Sequence, residues 1–484
     1  MTNSIKSLAK QTALYGIGSV VGRVINFLLT PFLTTYFVPS EYAIYTEFYA
    51  YAVFVIVFIT YGMETAYFKF SGENDEKKTF STVFTALLVS TAAFLILVIP
   101  FKSSIANSVD YPGNDLLVIL FAGILAIDAL CAIPFARLRQ QDKAVKFVVL
   151  KLVNILATLS LIFGALVIIP NEANNLIPVF KNSQIEWVFL ANLAASALTL
   201  ILLLSEIRKV NFKIVDKVLL KSMLIFGLPL LIAGLLGAIN ETLDRILLKK
   251  LLPFSAEENL RLLGVYGGCY KLAMFMTLSI QAFRMAAEPF FFKKYTETDA
   301  QATYSRIFTY FTIICTAIFL LVMLFLDELK YFVNERYHEG LVIVPILLLA
   351  NMFFGFYYNL SMWYKLTKRT VWAINLSAIG ALITIGLNIL LIPKMGIIGA
   401  AWATFTCYVV MAFLSYFIGK KYYPINYNFT KVISYFVISL TLVALNTYFN
   451  FSNDLYLWLS RVAMILIFIA TIFYFEKPLK RLTS

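Results

Sequence analysis

The sequence predicts an all-α integral membrane protein with about fourteen transmembrane helices. Three observations support this fold class. Of the 484 residues, 61% are hydrophobic and only 14% are charged, a composition that excludes a soluble enzyme. Apolar segments of about 20 residues, the length that spans a bilayer, recur along the whole chain. The polar connections between them are short, and none has the length to fold into a catalytic domain.

The apolar segments place the predicted helices in chain order. They lie near residues 12–37, 41–66, 80–101, 114–139, 146–170, 185–206, 219–248, 262–292, 304–326, 340–364, 370–392, 396–419, 430–450 and 455–475. The first segment is long enough to span and lacks a small-residue cleavage pattern after it, so we expect it to remain as a helix. An even number of spans puts both termini on one side of the membrane.

The distribution of lysine and arginine predicts the orientation. With a cytoplasmic N-terminus, the cytoplasmic segments hold roughly three times as many of these residues as the outer segments. Lys249 and Lys250 are exceptions on the disfavoured side. We therefore expect both termini in the cytoplasm. The net charge of +13 reflects this topology and contact with lipid headgroups rather than nucleic-acid binding.

Metal and redox chemistry have little support in the sequence. The four cysteines, Cys131, Cys269, Cys315 and Cys407, are scattered in apolar segments without paired spacing, and His338 has no ligand partner near it in sequence. Buried packing is the ordinary role of such cysteines. We expect no metal site, no catalytic residue and no cofactor.

An internal repeat relates the two halves of the chain. The segment YGIGSVVGRVINFLL from Tyr15 parallels FGLPLLIAGLLGAIN from Phe226, and FGALVIIP ending at Pro170 resembles GLNILLIP ending at Pro393. Both copies begin on the cytoplasmic side, so the repeat is parallel, with its axis along the membrane normal. The repeat predicts two lobes of six helices each, residues 1–210 and 211–421, followed by two additional helices in residues 422–484.

Charged residues inside the predicted spans are the candidate functional residues, because an ionised group at the bilayer centre costs about 2.5–3.5 kcal/mol on insertion scales. All but Asp128 fall in helices 1, 2, 7 and 8, which the repeat makes equivalent, and we count none in helices 3, 5, 6 and 9 to 13. This distribution predicts a cavity between the lobes. The ten residues are Arg23, Glu47, Glu64, Asp128, Glu241, Asp244, Arg245, Lys271, Arg284 and Glu288.

Local pairing is the alternative interpretation of part of this set. Glu241 and Arg245 are four residues apart, as are Arg284 and Glu288, a spacing at which side chains meet on one helix face. For the basic residues we expect a phosphate-bearing substrate head, with Arg23 near the midplane and Lys271 and Arg284 to either side.

The acidic residues, with Arg245, are candidates for ion coupling or gating. Glu47, Glu64 and Asp128 have the least obvious partners in sequence, and a carboxylate at low dielectric holds its proton more readily. Coupling to H+ or Na+ is therefore open, as is the plainer interpretation that these acids hydrogen-bond neighbouring helices.

Two segments carry a resemblance to a known family. GVYGGCYKLA follows the helix that contains NETLDRILL, and LNILLIPKMGIIGAAWATFTCYVV runs from Leu387 to Val410. They resemble the polysaccharide transporter family, the O-antigen or capsule repeat-unit flippases of the multidrug/oligosaccharidyl-lipid/polysaccharide superfamily. The glycines and alanines of IPKMGIIGAAWAT form a small face that predicts close helix packing rather than chemistry.

The resemblance implies a function. It implies that the chain moves an undecaprenyl-pyrophosphate-linked oligosaccharide from the inner to the outer leaflet of the bacterial cytoplasmic membrane by alternating access of two lobes. It further implies a role in surface polysaccharide synthesis, contact with membrane lipids, and a polysaccharide polymerase or glycosyltransferases as candidate partners. We expect a monomer. The resemblance does not imply which glycan is transported.

Two other classes remain open at this point. A cation-coupled multidrug antiporter of the same superfamily would be expected to have an acidic cavity and usually twelve spans. A membrane enzyme such as a repeat-unit polymerase or ligase would be expected to have a large outer loop with catalytic Arg or His, for which His338 is only a surface-loop candidate.

Overall fold

The computed structural model describes residues 27–167, 184–295, 297–449 and 453–476. Within these ranges every regular element is helical and no strand occurs. Thirteen of the described helical segments are long and apolar enough to cross a membrane. The predicted fold class, an all-α membrane protein, is confirmed.

The observed spans follow the predicted ones closely. The predicted helix at 219–248, for example, runs from Lys217 to Leu251, and the one at 430–450 runs from Phe429 to Tyr448. Of the first predicted helix, at 12–37, the structure describes only the last part, a short apolar helix at Phe27–Tyr36. The remaining thirteen predicted spans each have an observed counterpart.

Internal packing divides the chain into two compact units, Met1–Gly264 and Val265–Ser484. This boundary lies later than the predicted boundary between residues 210 and 211, so the helix at Lys217–Leu251 packs with the first unit. The two units are defined by the contacts within each of them, which do not test whether the two halves of the chain are structural repeats. The two lobes with a parallel repeat, and the separate segment 422–484, therefore stay a prediction.

The first unit contains nine helices among its described residues, and a tenth begins in it. In chain order these are α1 (Phe27–Tyr36), α2 (Pro39–Thr60), α3 (Met63–Glu73), α4 (Glu76–Val98), α5 (Lys102–Ser108), α6 (Asp115–Gln140), α7 (Ala144–Val167), α8 (Ile185–Ile207), α9 (Lys217–Leu251) and α10 (Ala256–Tyr270). The helix α8 packs against both α6 and α7, and α9 packs along α2.

The break between α2 and α3 explains Gly227, a glycine in the repeat segment that begins at Phe226. The chain leaves α2 through Tyr61 and Gly62, which have φ values of 31° and 74°, a left-handed conformation that favours glycine. Gly227 of α9 packs directly on this break, since a Cβ atom there would lie 2.7 Å from the Tyr61 carbonyl oxygen. The glycine after Phe226 is therefore required by close helix contact.

An N-terminal cap sets the start of α9. The Asp216 carboxylate accepts hydrogen bonds from the backbone N–H groups of Val218 and Leu219 at 2.8 and 3.1 Å, which satisfies donors that have no partner inside the helix. Lys78 lies 2.6 Å from the same carboxylate, and this hydrogen bond, followed by those from the backbone, lowers the pKa of Asp216.

The second unit contains the rest of α10 and nine further helices among its described residues. They are α11 (Met274–Lys294), α12 (Ala300–Leu324), α13 (Leu326–Leu329), α14 (Val344–Leu360), α15 (Met362–Leu366), α16 (Val371–Met395), α17 (Ile397–Tyr422), α18 (Phe429–Tyr448) and α19 (Asp454–Glu476). A short 3-10 turn at Lys271–Ala273 separates α10 from α11 within one span, and a 3-10 helix at Glu335–Ile343 begins the span that contains α14.

The turn between α16 and α17 carries the small-residue segment noted in the sequence. Gly396 has a φ of 61°, and a Cβ atom on Gly399 would lie 2.4 Å from the Leu391 carbonyl oxygen. Ala400 and Ala401 are fully buried. The helix α17 packs against both α14 and α16, so the packing interpretation of this segment is confirmed.

Candidate functional site

A polar cavity lies inside the first unit, among helices α2, α3, α6, α7 and α8, with a volume of about 450 Å³. Two residues that the sequence identified, Glu64 and Asp128, line it together. They are 64 positions apart in sequence and come from α3 and α6, so only the packing of these helices brings them to one cavity.

Buried hydroxyl and amide groups form one wall of the cavity. The Ser196 hydroxyl of α8 donates a hydrogen bond to the Asp128 carboxylate at 2.9 Å. The Asn154 amide of α7 donates to the Thr199 hydroxyl at 2.8 Å and to the Ala195 carbonyl at 3.2 Å. Because α8 contributes the partner in each bond, it orients polar groups from both α6 and α7.

Lys151 of α7 is a cavity residue that sequence reasoning missed. Its ammonium nitrogen lies 4.2 Å from the centre of the Phe135 ring, and the charge interacts electrostatically with Asp128 and Glu64. The count of interior charges assigned none to the fifth predicted helix, although Lys151 lies within its predicted bounds, 146–170. The available signal was a lysine inside the apolar run VVLKLVNIL.

Glu64 has a charged partner at the same cavity. Its carboxylate accepts a hydrogen bond from the Arg139 guanidinium of α6, which lies 5.0 Å from the Phe68 ring centre and 5.6 Å from that of Phe147. Among the described residues that line the cavity, two acids, Glu64 and Asp128, therefore face two bases, Arg139 and Lys151.

Glu47 belongs to a separate buried network in the first unit. Its side chain is fully buried and lies 3.1 Å from the Lys249 ammonium of α9. Tyr111 and Tyr51 donate hydrogen bonds to the same carboxylate at 2.5 and 3.1 Å. Burial, and then the negative charge of Glu47, raises the pKa of Tyr111, which keeps this hydroxyl protonated.

This network also explains an exception to the charge rule. Lys249 lies on the predicted outer side, yet its side chain is only 8% exposed. Its ammonium donates to the Val109 carbonyl at 2.5 Å and lies 3.6 Å from the Tyr111 ring centre. Lys249 is a buried ion-pair partner, which differs from the loop cation that the topology rule counts.

The charged residues near the end of α9 pair differently from the spacing-based alternative. The Arg245 guanidinium lies 3.1 Å from the Asp244 carboxylate and donates to the backbone carbonyl of Glu241. Asp244 and Arg245 are both buried, whereas Glu241 is exposed. The neighbouring Asp244 thus supplies a carboxylate to Arg245, a contact that the four-residue spacing did not predict.

Two of the predicted phosphate-binding residues lie in the second unit. Arg284 of α11 is exposed and donates to the Tyr358 hydroxyl of α14 at 3.0 Å, with its guanidinium 4.7 Å from the ring centre. Lys271 is half-buried in the 3-10 turn that precedes α11. Arg23 and the side chain of Glu288 lie outside the described residues.

An apolar groove of about 330 Å³ also lies in the second unit. Helices α12, α14, α17 and α18 contribute to it, and aromatic side chains dominate its lining. The aromatic residues are Phe308, Phe353, Phe356, Phe413, Tyr416, Phe417, Phe429 and Phe436.

The described residues contain no group of three or more His, Cys, Asp or Glu side chains placed to hold a metal ion. All four cysteines are buried. The Nε2 atom of His338 lies 2.9 Å from the Lys330 carbonyl oxygen and 3.2 Å from that of Val333. This histidine is therefore engaged by the local backbone.

The comparisons with known proteins identify the fold and the family. Among solved structures, the chain is similar to the lipid II flippase MurJ in an inward closed conformation, with a TM-score of 0.71, 16% identity, and 96% of this chain and 99% of that chain covered. It is also similar to a multidrug resistance MATE family transporter of the MOP superfamily in an inward-facing conformation, with a TM-score of 0.64, 13% identity, and 85% and 94% covered. No curated protein matches the chain.

A model of the family described as polysaccharide biosynthesis protein matches residues 8–295. This match covers more than half of the chain and agrees with the resemblance seen in the sequence. The family, and a fold shared with transporters and flippases, distinguish the chain from enzymes. The chain therefore belongs to the polysaccharide biosynthesis protein family, and its fold is similar to that of the MurJ and MATE structures.

Proposed function

We propose that this protein is a flippase for lipid-linked oligosaccharides. Its substrate is an undecaprenyl-pyrophosphate-linked repeat unit, which it moves from the inner to the outer leaflet of the bacterial cytoplasmic membrane by alternating access. The product supplies surface polysaccharide such as O-antigen, capsule or exopolysaccharide. The family match supports the pathway, and the fold shared with a lipid flippase supports the reaction.

The observation that carries this proposal is the exposed guanidinium of Arg284 inside the spanning segment Ala256–Phe292. A charged group at this place is costly in contact with lipid, so it should face a hydrated path. The guanidinium donates to the Tyr358 hydroxyl at 3.0 Å, and a planar guanidinium is the side-chain group best suited to bidentate binding of phosphate oxygens. The aromatic groove of the same unit offers a surface for an isoprenoid chain.

The order of phosphate contacts follows from position along the spans. Lys271 and Arg284 are thirteen residues apart, which corresponds to roughly 20 Å along a helix axis. Arg284 would receive the pyrophosphate on the cytoplasmic side, Arg23 would hold it near the midplane, and Lys271 would release it on the outer side. A chain of cations is required because the negative head must cross a low-dielectric region.

Ion coupling remains part of this proposal. Glu47, Glu64 and Asp128 each have a partner in the described structure, so H+ or Na+ coupling would require an exchange of these partners during the cycle. The measurement is transport in vesicles with both gradients collapsed. Unchanged transport under that condition would remove a coupling role for all three acids.

The cellular context belongs to the same proposal. The protein would act as a monomer in the inner membrane with both termini in the cytoplasm. A polysaccharide polymerase and glycosyltransferases that act on the same lipid carrier would be its functional partners.

Reconstitution tests the function. Purified protein in liposomes should move a fluorescent undecaprenyl-pyrophosphate-linked saccharide between leaflets, and cationic drugs should not be transported. Transport of drugs but not of the lipid would favour the multidrug antiporter instead. Arg284→Ala should reduce lipid transport at least about tenfold and Arg284→Lys should restore only part of it, because lysine lacks the bidentate fork.

The matched control is Arg306→Ala. Arg306 lies on α12 of the same unit, near the start of that helix. If Arg284→Ala and Arg306→Ala reduce transport equally, the phosphate-binding role of Arg284 is wrong.

A further inference from the structure

The polar cavity of the first unit has a chemistry that neither the phosphate-binding residues nor the apolar groove provides. Its walls present carboxylates, amides, hydroxyls and two cationic groups, with aromatic rings among them. Its volume of about 450 Å³ lies within the roughly 300–1,000 Å³ of small-ligand sites. Ionisable residues within membrane spans usually face a ligand or a solvent path, because contact with lipid is costly for them.

The balance of charge in the cavity indicates the class of ligand. Among the described lining residues, Glu64 and Asp128 would repel a phosphate, while Lys151 and Arg139 would repel a free metal cation. A neutral ligand with many hydroxyl groups can hydrogen-bond to all four of these charged side chains, because each hydroxyl both donates and accepts a hydrogen bond. Such a ligand can donate to the carboxylates and accept from the ammonium and guanidinium groups.

The individual contacts are arranged for this kind of ligand. Asp128 and Lys151 are exposed at the cavity, whereas Ser196 and Thr199 behind them are buried. The Ser196 hydroxyl occupies one oxygen of the Asp128 carboxylate at 2.9 Å, which fixes its orientation and leaves the other oxygen as an acceptor. Tyr49 adds an aromatic face at the same cavity, against which the apolar face of a sugar ring can pack.

We propose that this cavity is a subsite for a sugar ring of the transported substrate. The proposal rests on the proposed flippase function and assigns to the first unit the recognition of the glycan. Asp128 and Lys151 would be the principal contacts, and Asn154 and Ser196 would position or extend them. The ion pair between Glu64 and Arg139 would border the subsite at the C-terminal end of α6.

Equilibrium binding to the purified full-length protein in nanodiscs tests the subsite. The probes are undecaprenyl pyrophosphate without sugar and the same carrier bearing glucose, galactose or their 2-acetamido forms. At least one sugar-bearing carrier should bind the wild type about tenfold or more tightly than the bare carrier, as expected for several hydrogen bonds to charged groups. If no sugar in this panel improves binding, the proposal is wrong.

Variants of the cavity residues test whether the gain in affinity from the sugar arises at this cavity. Asp128→Asn and Lys151→Met should each remove most of the sugar-dependent gain and leave the affinity for the bare carrier unchanged. Equal losses for both probes would overturn the proposal, since they would indicate a general structural defect. Failure of the wild type to bind even the bare carrier would instead contradict the flippase function itself.

Two serine variants of the first unit provide a matched comparison. Ser196→Ala removes the hydroxyl that orients Asp128, and Ser90→Ala removes a hydroxyl that donates to the Ile59 carbonyl at 3.0 Å in the same unit. Only Ser196→Ala should reduce the sugar-dependent gain. Equal behaviour of these two variants would contradict the assignment.

A competition experiment uses only the wild-type protein, so a folding defect of a variant cannot affect its result. A free methyl glycoside of the preferred sugar, added in large excess, should lower the affinity for the sugar-bearing carrier to that of the bare carrier. If it leaves both affinities unchanged, the sugar does not occupy a separate subsite.

Discussion

The buried ion pair between Glu47 and Lys249 offers the sharpest test of the structure. The pair joins α2 to α9, with the carboxylate fully buried and the ammonium 8% exposed at a distance of 3.1 Å. We consider two replacements, Lys249→Met and Glu47→Gln, and their combination. Lys249→Met keeps the length of the side chain but removes its charge.

The expected magnitude follows from this geometry. At 3.1 Å and an effective dielectric constant of about 20, the attraction is about 5 kcal/mol. The desolvation of both ions offsets part of it, so the intact pair contributes little net stability. Removing one partner, however, leaves a buried charge without its counterion and should cost about 3–5 kcal/mol.

The two single variants should differ in the stability that they lose, and the double variant should regain most of that stability. Tyr51 and Tyr111 donate to different oxygens of Glu47. Glu47→Gln retains one of these acceptors, so it should cost less than Lys249→Met. The double variant buries no charge and should lie close to the wild type. The coupling between the two positions should therefore be larger than the cost of Lys249→Met alone, about 3–5 kcal/mol, in favour of the double variant.

The assay is the apparent melting temperature in detergent at one fixed heating rate, because membrane proteins of this size often unfold irreversibly. Lys249→Met should lower it by about 5–10 °C. Lys250→Met is the matched control, since Lys250 is the next residue and is exposed, and it should change little. If the double variant is as unstable as the sum of the single variants, the ion-pair reasoning is refuted.

Three further predictions test other parts of the fold. Gly227→Ala should lower the melting temperature, because the added Cβ would lie 2.7 Å from a backbone carbonyl oxygen. Gly237→Ala is the control on the same helix: its Cβ would have no atom within 4 Å, so the melting temperature should not change. Arg461→Met should destabilise the contact of α19 with α13 by about 2 kcal/mol, because Arg461 is 1% exposed and its guanidinium bonds Asp327 and Glu328 of α13. The expected result is faster proteolysis before α19, and an unchanged cleavage rate would contradict this role. A cysteine at Asn74 should resist an impermeant thiol reagent in intact cells while one at Asn174 reacts, and labelling of Asn74 would reverse the predicted orientation.

Local patterns in the sequence predicted the helices well. The length and hydropathy of each apolar run are properties of consecutive residues, and they determine whether a helix can replace water with hydrocarbon. Thirteen predicted spans accordingly have counterparts among the described residues. The small residues at the start of α17 were also interpreted correctly, because close helix packing needs small side chains at the contact.

Partners of the interior charges were much harder to predict. The partner of Glu47 is Lys249, 202 positions away, and the partner of Glu64 is Arg139, 75 positions away. Spacing along one helix reveals only neighbours three or four residues apart. The charge count also missed Lys151, and only the packing of α7 with α6 and α8 shows that this residue lines a cavity.

The sequence by itself determined that this chain is a helical membrane protein and pointed to its family, because hydropathy and short motifs are encoded in contiguous residues. Only the tertiary structure decided which charges meet, that Glu64, Asp128, Arg139 and Lys151 share one cavity, and that Lys249 is buried against Glu47. The physical reason is that the energy of a charge in a membrane depends on its nearest partner and on local polarity. Both are set by the packing of helices distant in sequence.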